Sequence, residues 1–139
     1  YLELAHAIRE FHESHRIRLE QATMRHFQRI TGVSRRVVTI DDDFRVSLDV
    51  DGRPCDIAQL SKGAQDQLYI ALRLAISDLL SSDINLPLIF DDPFVTSDSK
   101  RLDNIGVALS HLADERQILV LSHNGTLADW GVPIVLDHM

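Results

Sequence analysis

Leu86-Pro87-Leu88-Ile89-Phe90-Asp91-Asp92-Pro93-Phe94-Val95-Thr96-Ser97-Asp98 decides how the rest of this chain is read. Five mostly apolar residues, Leu86 to Phe90, run without alternation into two adjacent carboxylates. Such an unbroken run predicts a strand buried on both faces, as in a parallel sheet. The carboxylates then fall at the carboxyl end of the strand, the edge where open α/β sheets bind their ligands. Pro93, with no amide hydrogen to donate, ends the pairing.

An acid pair delivered to a strand tip has the Walker B arrangement. In it the first acid holds Mg²⁺ and the second sits near the water that attacks a γ-phosphate. The same residues also suit an ordinary buried strand closed by an Asp-Asp-Pro turn, so the surroundings have to decide.

With 139 residues the chain is one domain in size, long enough to bury a real core. Its 45% hydrophobic and 25% charged content is ordinary for a soluble globular protein. No apolar run approaches the roughly 20 residues that cross a bilayer, and the most apolar window, Leu68 to Leu80, holds Arg73 and Asp78. No signal peptide is visible, and a first residue other than Met makes an upstream segment an expectation. A single Cys55 excludes an internal disulfide and suits a reducing, cytoplasmic compartment. The net charge of −7 divides unevenly: residues 1–36 carry +3 with four histidines besides, and residues 37–139 carry −10. A basic entry segment ahead of an acidic body suits nucleic acid, and equally suits a solvated helix face.

Residues 1–30 contain neither Gly nor Pro, and apolar residues recur at Leu4, Ile8, Phe11, Leu19, Ala22, Phe27 and Ile30, with His15 in the same series. Steps of three and four predict one long helix ending at Thr31-Gly32, with Gly at C′. Without a visible N-cap, it is expected to continue upstream as a longer helix or coiled coil. His12 and His15 are three apart and not the four of His-Glu-x-x-His, which argues against zinc. Val37–Ile40 and Phe44–Val50 predict two strands, the second with Arg45, Ser47 and Asp49 on a wet face. Asp41-Asp42-Asp43 reads as a solvated hairpin turn and Asp51-Gly52 as a tight turn.

Leu60-Ser61-Lys62-Gly63-Ala64-Gln65 then leads into a helix over Asp66–Leu80, whose expected buried stripe is Leu68, Leu72, Ala75, Ile76 and Leu79. Ser61 suits the N-cap and Gly63 lets backbone approach a ligand. The first-turn amides, with the helix dipole behind them, form an anion site to which Lys62 adds charge. A capped helix without a ligand is the plainer reading of this motif taken alone. Farther on, Ser97 or Ser99 is expected to cap a helix with Leu102, Ile105, Leu109 and Leu112 on one face. Gln117–Leu121 predicts another buried strand, ending in Ser122-His123-Asn124. Gly125 to Trp130 is a short helix or turn, and Pro133–Leu136 a last strand. Alternating strands and helices from residue 86 onward predict an α/β fold with a parallel sheet.

Taken in order, these motifs resemble the C-terminal half of an ABC-type ATPase head of the SMC-like family, nearest in kind to SbcC-like and YhaN-like DNA-repair ATPases. Residues 65–75 and 86–94 carry most of the resemblance, which extends over essentially the whole chain. It implies the C-terminal lobe of a P-loop ATPase head over residues 33–139, preceded by a short antiparallel strand pair, with residues 1–32 as the end of a coiled coil entering the head. It also implies ATP and Mg²⁺ as cofactors. The partners it implies are a second head, or the N-terminal half of the same head, together with DNA and a nuclease subunit, and no membrane. By residue, Ser61, Lys62 and Gly63 match the signature that meets the γ-phosphate held by the opposite head. Asp91 matches the acid that reaches Mg²⁺, Asp92 the acid that polarises the attacking water, Asp98 the interface aspartate, and His123 the switch histidine.

Three departures bear on activity. Lys62 stands where the first glycine of a pair is usual, and Asp92 is one methylene shorter than the usual Glu, so slow hydrolysis is expected. No Gly-x-x-x-x-Gly-Lys-Ser/Thr occurs in these 139 residues, so the stretch alone is expected to be inactive. The readings in play are an ATPase acting on DNA, a nucleotide-gated clamp with vestigial hydrolysis, and a transporter nucleotide-binding domain. The long helix and strand pair ahead of the signature speak against the transporter.

Overall fold

The computed structural model describes residues 2–81, 86–94 and 97–135. It is mixed α/β, with a long helix, a three-stranded antiparallel sheet and a two-stranded parallel sheet.

Helix α1 spans Leu2–Thr31 and stops at Gly32, which takes φ +66° and donates its amide to Gln28 O at 2.9 Å. The expected apolar stripe is buried only toward the end, at Ala22, Phe27 and Ile30, where Thr23 and His26 are buried too. Leu4 and Phe11 are exposed, and the side chain of Ile8 lies outside those described.

Strands β1 (Arg36–Ile40), β2 (Val46–Val50) and β3 (Arg53–Asp56) form the antiparallel sheet in that order. β3 is an addition to the expected pair. Its Pro54 is tolerated because β3 is an edge strand bonded only to β2. Asp51 and Gly52, with φ of +54° and +80°, make the β2–β3 turn. Asp41 Oδ1 accepts the amides of Asp43 and Arg45 at 3.0 and 2.8 Å, so the acidic run braces the other hairpin turn. Helix α1 holds this sheet by two polar contacts: Glu20 accepts the Ile40 amide at 2.7 Å, and Arg16 donates to Ile40 O at 2.9 Å. At least one arginine of the basic segment is therefore structural.

Helix α2, Lys62–Leu80, packs on α1. Its buried residues include Ala64, Gln67, Leu68, Ile70, Ala71, Leu74 and Ala75, while Ile76 is exposed and Leu72 and Leu79 are only partly covered. The expected stripe was thus rotated. In a segment as apolar as residues 68–80, neighbouring stripes are nearly equal in sequence. The face carrying Ala64, Ala71 and Ala75 wins because small side chains let two helix backbones approach closely.

The parallel sheet pairs β4 (Leu88–Asp91) with β5 (Ile118–Leu121), Leu88 opposite Ile118 and Asp91 opposite Leu121. Helix α3, Ser99–Ala113, lies between them in the chain and buries Ile105, Gly106, Ala108, Leu109 and Leu112. Leu86 and Pro87 fall outside β4. Burial on both faces is not observed: Phe90 is 5% exposed, but Ile89 is 65%, Leu119 40% and Leu121 49% exposed on the other face. Among the described residues, the helices cover one side of the sheet only. The cap of α3 is Asp98, whose carboxylate accepts the Arg101 amide, and not either neighbouring serine. A 3-10 helix, Gly125–Trp130, follows β5 and places Trp130 against Gly106 and Phe94. No strand forms over residues 133–135, which are exposed; Leu136 lies outside the described residues, as do Val95 and Thr96 of the opening stretch.

Candidate functional site

The ends of β4 and β5 bring together two residues that the sequence separates by 31 positions. Asp92 follows directly on β4 and donates its backbone amide to Leu121 O at 2.8 Å, which extends the parallel pairing by one bond. Its φ is +43°, a left-handed conformation that Asp tolerates better than most side chains. The turn sends the carboxylate across to the loop after β5. There Oδ1 accepts from Ser122 Oγ at 2.8 Å and from the His123 amide at 3.2 Å, and Oδ2 lies 2.8 Å from His123 Nδ1. The His123 ring bond, then the Ser122 hydroxyl, then the His123 amide hold the Asp92 carboxyl below the usual carboxylate range. The His123 side chain is 98% exposed. Ser122 Oγ also accepts the Asn124 amide at 3.1 Å, which ties the loop to itself. Ser122 was not singled out in the sequence; its position beside His123 was the only signal available.

Asp91 ends β4 on the face shared with Ile89, Leu119 and Leu121, and it is exposed. Mg²⁺ takes one or two carboxylates and completes its octahedron with phosphate oxygens and water. One exposed strand-end carboxylate fits that donor set, whereas the oxygens of Asp92 are already engaged. No group of three or more His, Cys, Asp or Glu able to hold a metal occurs among the described residues. His15 is occupied within α1, its Nδ1 2.8 Å from Phe11 O.

A second cluster surrounds the start of α2. Ser61 is the N-cap, its Oγ accepting the Ala64 amide at 3.4 Å, as its residue type predicted. Asp56 caps the 3-10 turn Ile57–Gln59 before it, and Gln65 Nε2 donates to the carbonyls of Ile57 and Leu60 at 3.0 and 3.1 Å, fixing the approach to the cap. Lys62 leans along its own helix, with Nζ 3.7 Å from Asp66. Gly63 is buried, and what its missing side chain admits is Arg101: a Cβ there would lie 2.5 Å from Arg101 Nη1. Arg101 Nη1 is also 3.1 Å from Asp98 Oδ2. The guanidinium therefore ties the turn at residues 61–63 to the cap of α3, a link that no sequence pattern marks. The structure thus groups Asp92 with His123, and Gly63 with Asp98, while Lys62 stays on its own helix.

No protein-family model matches the chain. The sequence is similar to the DNA double-strand break repair Rad50 ATPase of Thermoplasma acidophilum, 28% identical over 94 residues, which cover 65% of this chain and 10% of that protein. It is also similar to the uncharacterized protein YhaN of Bacillus subtilis, 35% identical over 79 residues, which cover 56% of this chain and 8% of YhaN. The matched part is about a tenth of the length of these relatives. Among solved structures, the SMC head domain from Thermotoga maritima matches with a TM-score of 0.65 at 16% identity, over 83% of this chain and 41% of that one. A structure described under ATP-driven dimerization and DNA-stimulated activation of SMC ATPases matches with a TM-score of 0.65 at 16% identity, over 88% of this chain and 80% of that one. The fold is that of an SMC head domain.

Proposed function

We propose that this chain, which carries part of an SMC-like ATPase head, works in a complete head that binds ATP with Mg²⁺ and hydrolyses it between two closed heads. The observation that carries the reading is the meeting of Asp92 and His123 at the tips of neighbouring parallel strands, beside a second strand-end carboxylate. Phosphoryl transfer needs positioned water and electrostatic stabilisation more than covalent chemistry, and these residue types supply both.

In this proposal Asp91 holds Mg²⁺, which would neutralise charge on the phosphates. Asp92 and His123 address the attacking water and the γ-phosphate. Ser61 and Gly63, with Lys62 adding charge, meet the γ-phosphate held by the opposite head, and Asp98 lines the head–head interface. Residues 1–32 form the end of a coiled coil and residues 33–139 the lobe of the head. The exposed apolar face of β4 and β5, with Val132, Ile134 and Val135 exposed beyond it, docks the part of the head that carries the phosphate cradle. No helix among the described residues is long and apolar enough to cross a membrane, and we propose a cytoplasmic protein. Likeness to a DNA double-strand break repair ATPase supports DNA as the proposed partner, with a nuclease subunit as a proposed companion.

The test uses complete heads. Ser61→Arg should leave ATP binding by the monomer intact and abolish ATP-dependent dimerisation and turnover. Mixed with a subunit lacking its Walker A lysine, it should regain about half the activity per dimer, since one of the two composite sites is whole. A heterodimer that forms but stays inactive sinks the cross-subunit role of Ser61.

A further inference from the structure

The hydrogen-bonding capacity of Asp92 is turned inward. Three donors converge on its carboxylate: the Ser122 hydroxyl, the His123 amide and His123 Nδ1. Against an ionised carboxylate Nδ1 carries the proton, so the lone pair of a neutral imidazole is on Nε2. That nitrogen belongs to a side chain that is 98% exposed. A carboxylate that fixes the tautomer and orientation of a histidine, whose far nitrogen is free to take a proton, is the supporting half of a general-base relay. The length of Asp92 serves this arrangement. At φ +43° the short side chain folds back onto the loop after β5 and meets both oxygens' donors there, so it is not extended toward a ligand.

We propose that His123 Nε2 is the base that takes the proton of the attacking water, and that Asp92 and Ser122 are positioning residues acting through it. The inference rests on the ATP-hydrolysing head described above and assigns the roles within it. The water oxygen forms a bond to the γ-phosphorus while the bond from that phosphorus to the β–γ bridging oxygen breaks, its electron pair leaving on ADP. The water proton passes to Nε2, giving an imidazolium whose Nδ1–H remains on the Asp92 carboxylate. It is then released to solvent or to the departing phosphate, which restores the neutral ring.

The experiment is single-turnover ATP hydrolysis by the complete head, with Mg-ATP binding measured alongside, for His123→Ala, Asp92→Asn, the double variant, Ser122→Ala and Ser122→Thr. His123→Gln serves as a second histidine variant, and the exposure of this ring makes loss of fold from either change unexpected. His123→Ala and Asp92→Asn should each slow the step by about 10²-fold, the low end of what a general base contributes, with binding retained. The double variant should be no slower than about threefold below the slower single, because Asp92 acts only through His123. Ser122→Ala should cost about tenfold, the worth of one hydrogen bond, and Ser122→Thr should restore the rate. Losses that multiply to about 10⁴-fold in the double variant would overturn the proposal, since Asp92 would then act on the water independently. So would a wild-type rate in both histidine variants. A wild-type head that binds Mg-ATP but never turns it over would overturn the hydrolysis reading itself, and this inference with it.

Discussion

Asp78→Asn should lower the stability of the complete head by about 3 kcal/mol. Asp78 joins three elements: His26 Nε2 of α1 lies 2.7 Å from one oxygen, and Arg116 Nη2, from the α3–β5 connection, lies 2.9 Å from the other. Arg116 also donates to Ser77 Oγ at 2.9 Å, and its side chain is only 6% exposed. The amide keeps the volume of the acid, removes its charge and sets a donor against a donor. Leaving a buried charge unpaired costs about 3–5 kcal/mol. Asp78 is 30% exposed, so some water reaches the gap and the low end applies. Against a total of about 5–15 kcal/mol, that is a large fraction. With a urea slope of about 1–3 kcal/mol per molar, the unfolding midpoint followed by circular dichroism should fall by about 1–3 M. Adding Arg116→Met, which removes the stranded cation and keeps an apolar stem, should recover at least half of the loss. A midpoint that does not move, or a double variant less stable than Asp78→Asn alone, would refute this account of what holds α1 to α2.

The same triad predicts a pH dependence. Burial holds His26 below the ordinary imidazole range, against the opposing pull of Asp78. The folded state therefore resists a proton that the unfolded chain accepts. Stability from this group is complete above about pH 6.5 and is lost as pH falls from there toward the lower folded value, at up to about 1.4 kcal/mol per pH unit. Urea midpoints measured from about pH 8 to 5 should show that decline in the wild type and a shallower one in His26→Gln; equal slopes would contradict it. Gly106→Ala would place a Cβ 2.9 Å from Trp130 Cε2, so the indole must shift. A loss of about 1–3 kcal/mol in thermal unfolding is expected, and an unchanged melting temperature would show that the ring relaxes freely.

Local rules located most of the elements. The helix end at Gly32, the cap at Ser61, the Asp51-Gly52 turn and the two parallel strands all rest on short-range chemistry that one stretch of sequence carries by itself. What was misread depends on distant neighbours. The stripe of α2 is chosen by α1, and no residue of α2 records that choice. β3 is a four-residue edge strand with a proline, and its pairing to β2 leaves no period-2 pattern to read. At the start of α3, Ser97, Asp98 and Ser99 all have capping side chains, and the Asp98 carboxylate accepts the Arg101 amide. In the candidate site each residue type was legible, but two contacts were not. Asp92 with His123 spans 31 positions, and Arg101 over Gly63 depends on α3 passing the start of α2.

The same distinction explains why the opening stretch was read correctly as a strand and incorrectly as one covered on both sides. Leu88 and Phe90 point into the core that α3 helps to build, while Ile89 alternates with Asp91 on the exposed side. An apolar code without alternation is written for a sheet with two covered faces, and the described residues supply one cover. Fully burying a side chain such as Ile or Leu is worth about 1.5–3 kcal/mol. Ile89, Leu119 and Leu121 together therefore make a strong apolar demand on whatever covers this face. Asp91 sits among them, so the surface that satisfies the demand also takes water from around the carboxylate proposed to hold Mg²⁺. Removing water strengthens each charge–charge interaction there. In the proposed complete head, covering the apolar face and strengthening the ion site become one event, because residues 89 and 91 lie on the same side of one strand.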